Sequence, residues 1–236
     1  MAFPDTRWSV LALATLHGDE LARQALDELW RRYWQPVYAV IRSREASEEQ
    51  ARDHTQAFFA YLLERSALRR ADRARGRFRT FLLTLLWRFL RDERRRAGAE
   101  KRGGDLDLDQ PEADVDEVAA EARPLAETLD REWALATLER ALAKVREEVL
   151  TVRGEAGWQV LRRYLPGSPE VPPMTLAAAA LGVSEGGART EVHRLRQRCR
   201  EALRRELMAT VTAPEELDAE IEYLGQALRG TLLPAV

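Results

Sequence analysis

Residues 174–207, MTLAAAALGVSEGGARTEVHRLRQRCREALRREL, decide the fold of this chain. Met174, Ala178 and Leu181 have the spacing of the buried face of a short helix. Gly182 then offers the left-handed backbone that ends it. Ser184 suits an N-cap, because its hydroxyl accepts from a free amide of the next turn. Beyond it Ala188, Val192, Leu195, Cys199 and Leu203 recur every three or four residues as one apolar stripe. Arg189, Thr190, His193, Arg194 and Gln197 fall outside that stripe. The pattern predicts a helix, a tight turn and a long helix seated on a core by one face. The other face carries side chains that suit the DNA major groove, where an arginine takes guanine O6 and N7 together. The plainer alternative is an αα-hairpin with a solvated basic face.

The rest of the chain extends this reading to an all-α protein. Of 236 residues, 45% are hydrophobic and 32% charged, with only 13 Gly and 10 Pro among long Ala-, Glu-, Leu- and Arg-rich segments. A net charge of −2 looks poor for a nucleic-acid binder. The average conceals segregation, however. Residues 65–104 hold 14 Arg/Lys against 4 Asp/Glu, residues 105–132 hold 2 against 11, and residues 186–205 hold 7 against 2. Two basic patches flank an acidic tract.

Working outward, helices are expected over 6–42 (Leu21, Ala25, Leu29, Tyr33, Val37 and Ile41 in step, with Pro36 kinking or ending it), over 47–65 with Ser47 as N-cap, and over 77–97. Gly103 and Gly104 close the last of these. Residues 105–125, acidic and poor in aromatics, read as a flexible linker. Residues 130–165 hold two helices around Gly154 and Gly157, and 166–173 is a Pro-rich loop. Residues 214–229 form an amphipathic helix with Leu217, Ile221, Leu224 and Leu228 on one face. The expected organisation is two helical domains, 1–104 and 132–211, joined by an acidic flexible linker, 105–131. The second contains the helix-turn-helix, and an extension, 212–236, follows.

No catalytic set stands out. His17, His54 and His193 lack partners at metal-ligand spacing, no phosphate-binding glycine loop is present, and Cys199 has no neighbouring base. A non-enzymatic binding protein without metal or cofactor is expected. The single cysteine fits a reducing compartment. With no leader-like start and no apolar run long enough for a bilayer, the expectation is a soluble cytoplasmic protein without a membrane partner. Segment 76–97 interleaves aromatics with arginines. Phe78, Phe81, Leu82, Leu85 and Phe89 are expected to pack inward. Arg77, Arg79, Arg88, Arg91, Arg94, Arg95 and Arg96 can face outward with Trp87 among them, as single-stranded DNA binding requires; the equal alternative is that Trp87 and Phe89 are simply core.

Three pieces in order, ARDHTQAFFAYLLE (51–64), GRFRTFLLTLLWRFLRDERRR (76–96) and ALGVSEGGARTEVHRLRQR (180–198), with an acidic tract between the last two, resemble an extracytoplasmic-function sigma factor of the sigma-70 family over residues 3–211. The resemblance implies a specificity subunit whose partners are core RNA polymerase and promoter DNA, both duplex and melted, with an anti-sigma factor or other protein regulator. It implies that segment 51–64 docks on the polymerase through Asp53 and Gln56, with Phe59 and Leu62 behind them. It assigns Arg77, Arg79, Trp87, Arg88, Arg91, Arg94 and Arg95 to the melted minus-ten element. Ser184, Arg189, Thr190, His193, Arg194 and Arg196 fall to the minus-thirty-five element. Arg88 departs from the Asn that many members place beside a flipped base. Glu191 stands where a small or basic residue is usual, so that it either repels phosphate or accepts from a cytosine amino group. The other readings are an autonomous helix-turn-helix regulator that needs no polymerase, and an interaction module that has kept the fold without promoter activity.

Overall fold

A computed structural model describes residues 20–45, 47–64, 78–101, 115–211 and 213–229. Its α-helices are α1 (Glu20–Arg42), α2 (Glu48–Glu64), α3 (Phe78–Lys101), α4 (Val115–Leu161), α5 (Met174–Leu181), α6 (Glu185–Met208) and α7 (Leu217–Ala227). Short 3-10 turns at Arg162–Tyr164 and Pro214–Glu216 precede the loop before α5 and the start of α7. No strand occurs among the described residues. The chain divides into two compact units, residues 1–133 with 210–212, and residues 134–209 with 213–236.

The first unit is built from α1, α2, α3 and the start of α4. Tyr33, Val37, Val40 and Ile41 line one face of α1 and are essentially inaccessible to solvent. The helix runs through Pro36 to Arg42 instead of ending there. The backbone bond that proline removes costs a few kcal/mol, and burial of this apolar face offsets it. Ser47 caps α2, its Oγ accepting from the Gln50 amide at 3.1 Å. Phe58 of α2 meets Phe89 of α3 at a ring separation of 5.5 Å, and Tyr33 meets Phe78 edge-on at 5.2 Å.

The acidic tract differs from its expected form. Its residues are helical from Val115 onward, straight through Pro124. Acidity and the scarcity of aromatics suggested a flexible chain as far as 131. Yet Leu125, Leu129 and Trp133 recur at helical spacing and are buried at 2%, 1% and 0% exposure, which gives the helix a core face. Residues 102–114, with Gly103 and Gly104, lie outside the described residues.

The second unit gathers Val145, Val149, Trp158, Leu161, Tyr164, Ala177, Val192 and Leu195 into one core. α4 breaks at Gly154, whose φ of 66° is the left-handed region that a side chain rarely adopts. Gly157 serves closeness instead, since a Cβ there would stand 2.4 Å from the Arg153 Cβ. α7 packs on α6, burying Leu217 and Leu224. Glu206 of α6, almost wholly buried, accepts from Arg140 Nε at 3.1 Å and Lys144 Nζ at 2.6 Å, which ties α6 to α4.

Candidate nucleic-acid interface

α5 ends as its sequence indicates. Gly182 adopts φ 66° and ψ 35°, and its amide donates back to the carbonyls of Ala178 and Ala179. Ser184 then caps α6 by accepting from the Gly187 amide at 3.1 Å, a bond of about 1 kcal/mol to such a helix. Ala188, Val192 and Leu195 are buried, with Cys199 and Leu203 half-buried beside them. This rigid seat leaves Ser184, Arg189, Thr190, His193, Arg194 and Gln197 exposed.

Local bonds shape what that face offers. The Thr190 hydroxyl donates to the Gly186 carbonyl at 3.0 Å, which leaves its oxygen to act as an acceptor. Arg189 pairs with Glu185 one turn earlier, both exposed. An exposed pair of this spacing contributes only about 0.3–0.5 kcal/mol and yields readily to a stronger acceptor. Arg196 is different. Its Nε and Nη2 both donate to the Tyr164 carbonyl, at 3.1 and 2.9 Å. Two donors of this exposed guanidinium are thus spent on the backbone, which sets Arg196 apart from the other expected readers. Glu191 turns away from the reading face and accepts from Arg153 Nη2 at 2.8 Å, with Arg194 Nη1 3.7 Å away. It is therefore committed to arginines rather than held out for a cytosine.

The basic helix α3 separates into two groups. Arg88, Arg94 and Arg95 are exposed and Arg91 is half-buried. Two expected outward groups are inside. Arg79 is 5% exposed, lies 3.6 Å from the Trp133 ring centroid and has its Nε 3.4 Å from Asp130 Oδ1. Trp87 is 7% exposed, with the Arg91 guanidinium 4.8 Å from its ring centroid. Neither is a platform for a base. Arginine density suggested one solvated face, but a helix start that packs on α4 needs cover, and Trp133 with Asp130 gives Arg79 a partnered interior site. Arg77 lies outside the described residues. Arg94 and Arg96 instead border an open groove of about 670 Å³ with Arg44, Glu45, His54, Glu93 and Leu90. His54 Nδ1 is 2.8 Å from Glu45 Oε1 there.

On α2, Asp53 and Gln56 are exposed while Phe59 and Leu62 are buried at 4% and 1%. The two sets therefore stand as a polar outer row over an apolar support. Sequence reasoning missed the inward roles of Asp130 and Trp133, and it missed Arg153. Spacing alone does not show which helix will meet Glu191.

Among the described residues no cluster of three or more His, Cys, Asp or Glu could hold a metal, and no helix is long and apolar enough to cross a membrane. A family model described as ECF sigma factor matches residues 13–205. No curated protein and no solved structure matches the chain.

Proposed function

This chain belongs to the ECF sigma factor family, and from that membership we propose that it binds core RNA polymerase, recognises promoter DNA and directs transcription initiation. The observation that carries this reading is α6. Its apolar stripe fixes it on the second unit while Arg189, Thr190, His193 and Arg194 stand exposed along one face. A helix so mounted fits the major groove, about 12 Å wide, and meets base edges with two donors of arginine type and a hydroxyl acceptor. In this reading α6 takes the upstream element as duplex. The exposed cations Arg88, Arg94 and Arg95 of α3 follow the phosphates of the melted downstream element, and Asp53 and Gln56 of α2 meet the polymerase. Arg79 and Trp87 support α3 from inside and do not touch the strand.

The test is run-off transcription from fragmented genomic DNA of the source bacterium, with its core polymerase alone or with the full chain added. Discrete start sites that need the added protein bear out the reading. Sequence-specific DNA binding without any association with core enzyme would contradict it and leave an autonomous regulator.

A further inference from the structure

The flank of α6 carries an arrangement that the reading face does not use. Glu191, Arg194 and Arg198 recur at spacings of three and four residues, one step round the helix from Thr190, His193 and Gln197. Facing them is Arg153, the last residue before the break at Gly154 in α4. The close approach at Gly157 holds this corner of the backbone tight against the Arg153 side chain. The four side chains line a small hollow of about 90 Å³, floored by Val149, Leu161 and Leu195.

Its charge is unbalanced. Three arginines share the hollow with one carboxylate. Glu191, with a side chain 21% exposed, is bonded to Arg153 and lies near Arg194, whereas Arg198 reaches only toward Glu148 at 3.9 Å. The Arg153 Nε is buried and has no acceptor in the protein. The buried Nε is out of a ligand's reach, but the Arg153 side chain is 30% exposed, and this part-exposed guanidinium with a surplus of cations beside the flank of a helix calls for an anion.

We propose that this hollow is a seat for a backbone phosphodiester of duplex DNA. Arg153 contacts the phosphate, and Glu191 holds Arg153 in place until the phosphate arrives. The proposal rests on the reading of α6 as a groove-binding helix. A helix lying in the major groove has phosphate walls on its flanks, so a cation delivered from a neighbouring element at that edge meets the backbone and not a base. Glu191 then carries no base preference. It keeps Arg153 ordered and weakens phosphate binding by its own charge.

The experiment measures binding of the full chain to several fluorescein-labelled duplexes of unrelated sequence, by anisotropy across a series of salt concentrations starting low. Arg153→Ala is expected to weaken binding to all of them alike and to lower the slope of log affinity against log salt by about 1. Glu191→Gln still accepts from Arg153 but removes the opposing charge, so it is expected to tighten binding several-fold at low salt. Arg189→Ala, on the reading face, is the reference, measured on an added duplex that carries the upstream element selected in transcription.

If Arg189→Ala weakens binding while both seat variants behave as wild type, the seat is overturned and the reading of α6 stands. If wild type does not bind even the selected duplex, alone or with core polymerase, or Arg189→Ala is as silent there as the other two, the reading itself fails and the seat with it. A seat for free phosphate would show as a rise in melting temperature with orthophosphate over chloride at equal ionic strength. Such a rise, lost in Arg153→Ala while the DNA slopes stay unchanged, overturns the DNA contact.

Discussion

Arg196 donates through both Nε and Nη2 to a single carbonyl oxygen, that of Tyr164, at 3.1 and 2.9 Å. Tyr164 closes the turn before the α5 loop, and its own hydroxyl donates to the Pro173 carbonyl at 3.1 Å. The pair therefore fastens α6 to both ends of the loop that leads into α5. An arginine with two bonds to the main chain is part of the frame that aims the reading face.

Arg196→Ala should accordingly act on stability. Hydrogen bonds from a charged group contribute about 1.5–3 kcal/mol, and loss of that order is expected in denaturant unfolding, with faster amide exchange at 164–182. The preferred upstream sequence should not change. A shifted base preference at normal stability would place Arg196 among the base readers.

The pair Arg79 and Asp130 leads to a second expectation. Removing one partner of a buried ion pair leaves an uncompensated charge and costs about 3–5 kcal/mol. Asp130→Ala should cost a share of that, because Arg79 is 5% exposed and loses one of its contacts while it keeps the Trp133 ring. Arg79→Met should cost markedly less, since it removes the buried charge and leaves Asp130, 24% exposed, to be hydrated. Urea unfolding of both variants gives the order, and the reverse order would refute the buried-charge account.

Cys199 gives an expectation in pH. Burial, with a lesser push from Glu148, raises its thiol to about 11. A folded-state value above the ordinary one means that the stabilising contribution is present below the ordinary thiol pKa and is lost as pH rises through about 11. At neutral pH the thiolate is scarce. Iodoacetamide should label native protein slowly, with a rate that climbs toward pH 11, and label unfolded protein fast. Rapid labelling of native protein at neutral pH would show that Cys199 is not held in the core.

Much of the second unit was legible in the sequence, because its signals are local. Gly182, Ser184 and the stripe Ala188, Val192 and Leu195 lie within fourteen residues, and each does in the structure what its chemistry suggests. The first unit was less legible at α3 and α4. Whether Arg79 faces water depends on Trp133, which is distant in the sequence. The acidic composition of 105–131 concealed the helical register of Leu125 and Leu129, which becomes decisive only once a core is present to receive it. The local bonds of Arg196 and Glu191 were illegible for the same reason. Their partners, Tyr164 and Arg153, come from elements whose approach no spacing rule gives.

The central claim is that α6 selects promoters for RNA polymerase. The most direct measurement is transcription by core polymerase on a promoter library randomised in its upstream element, comparing wild type with Arg189→Ala and His193→Ala by sequencing the transcribed templates. Loss of a bidentate guanine contact is expected to cost about 1–3 kcal/mol of discrimination at one position. The account predicts that preference relaxes at one or two adjacent positions in each variant while other positions keep theirs. Identical selected sequences for wild type and both variants would contradict it.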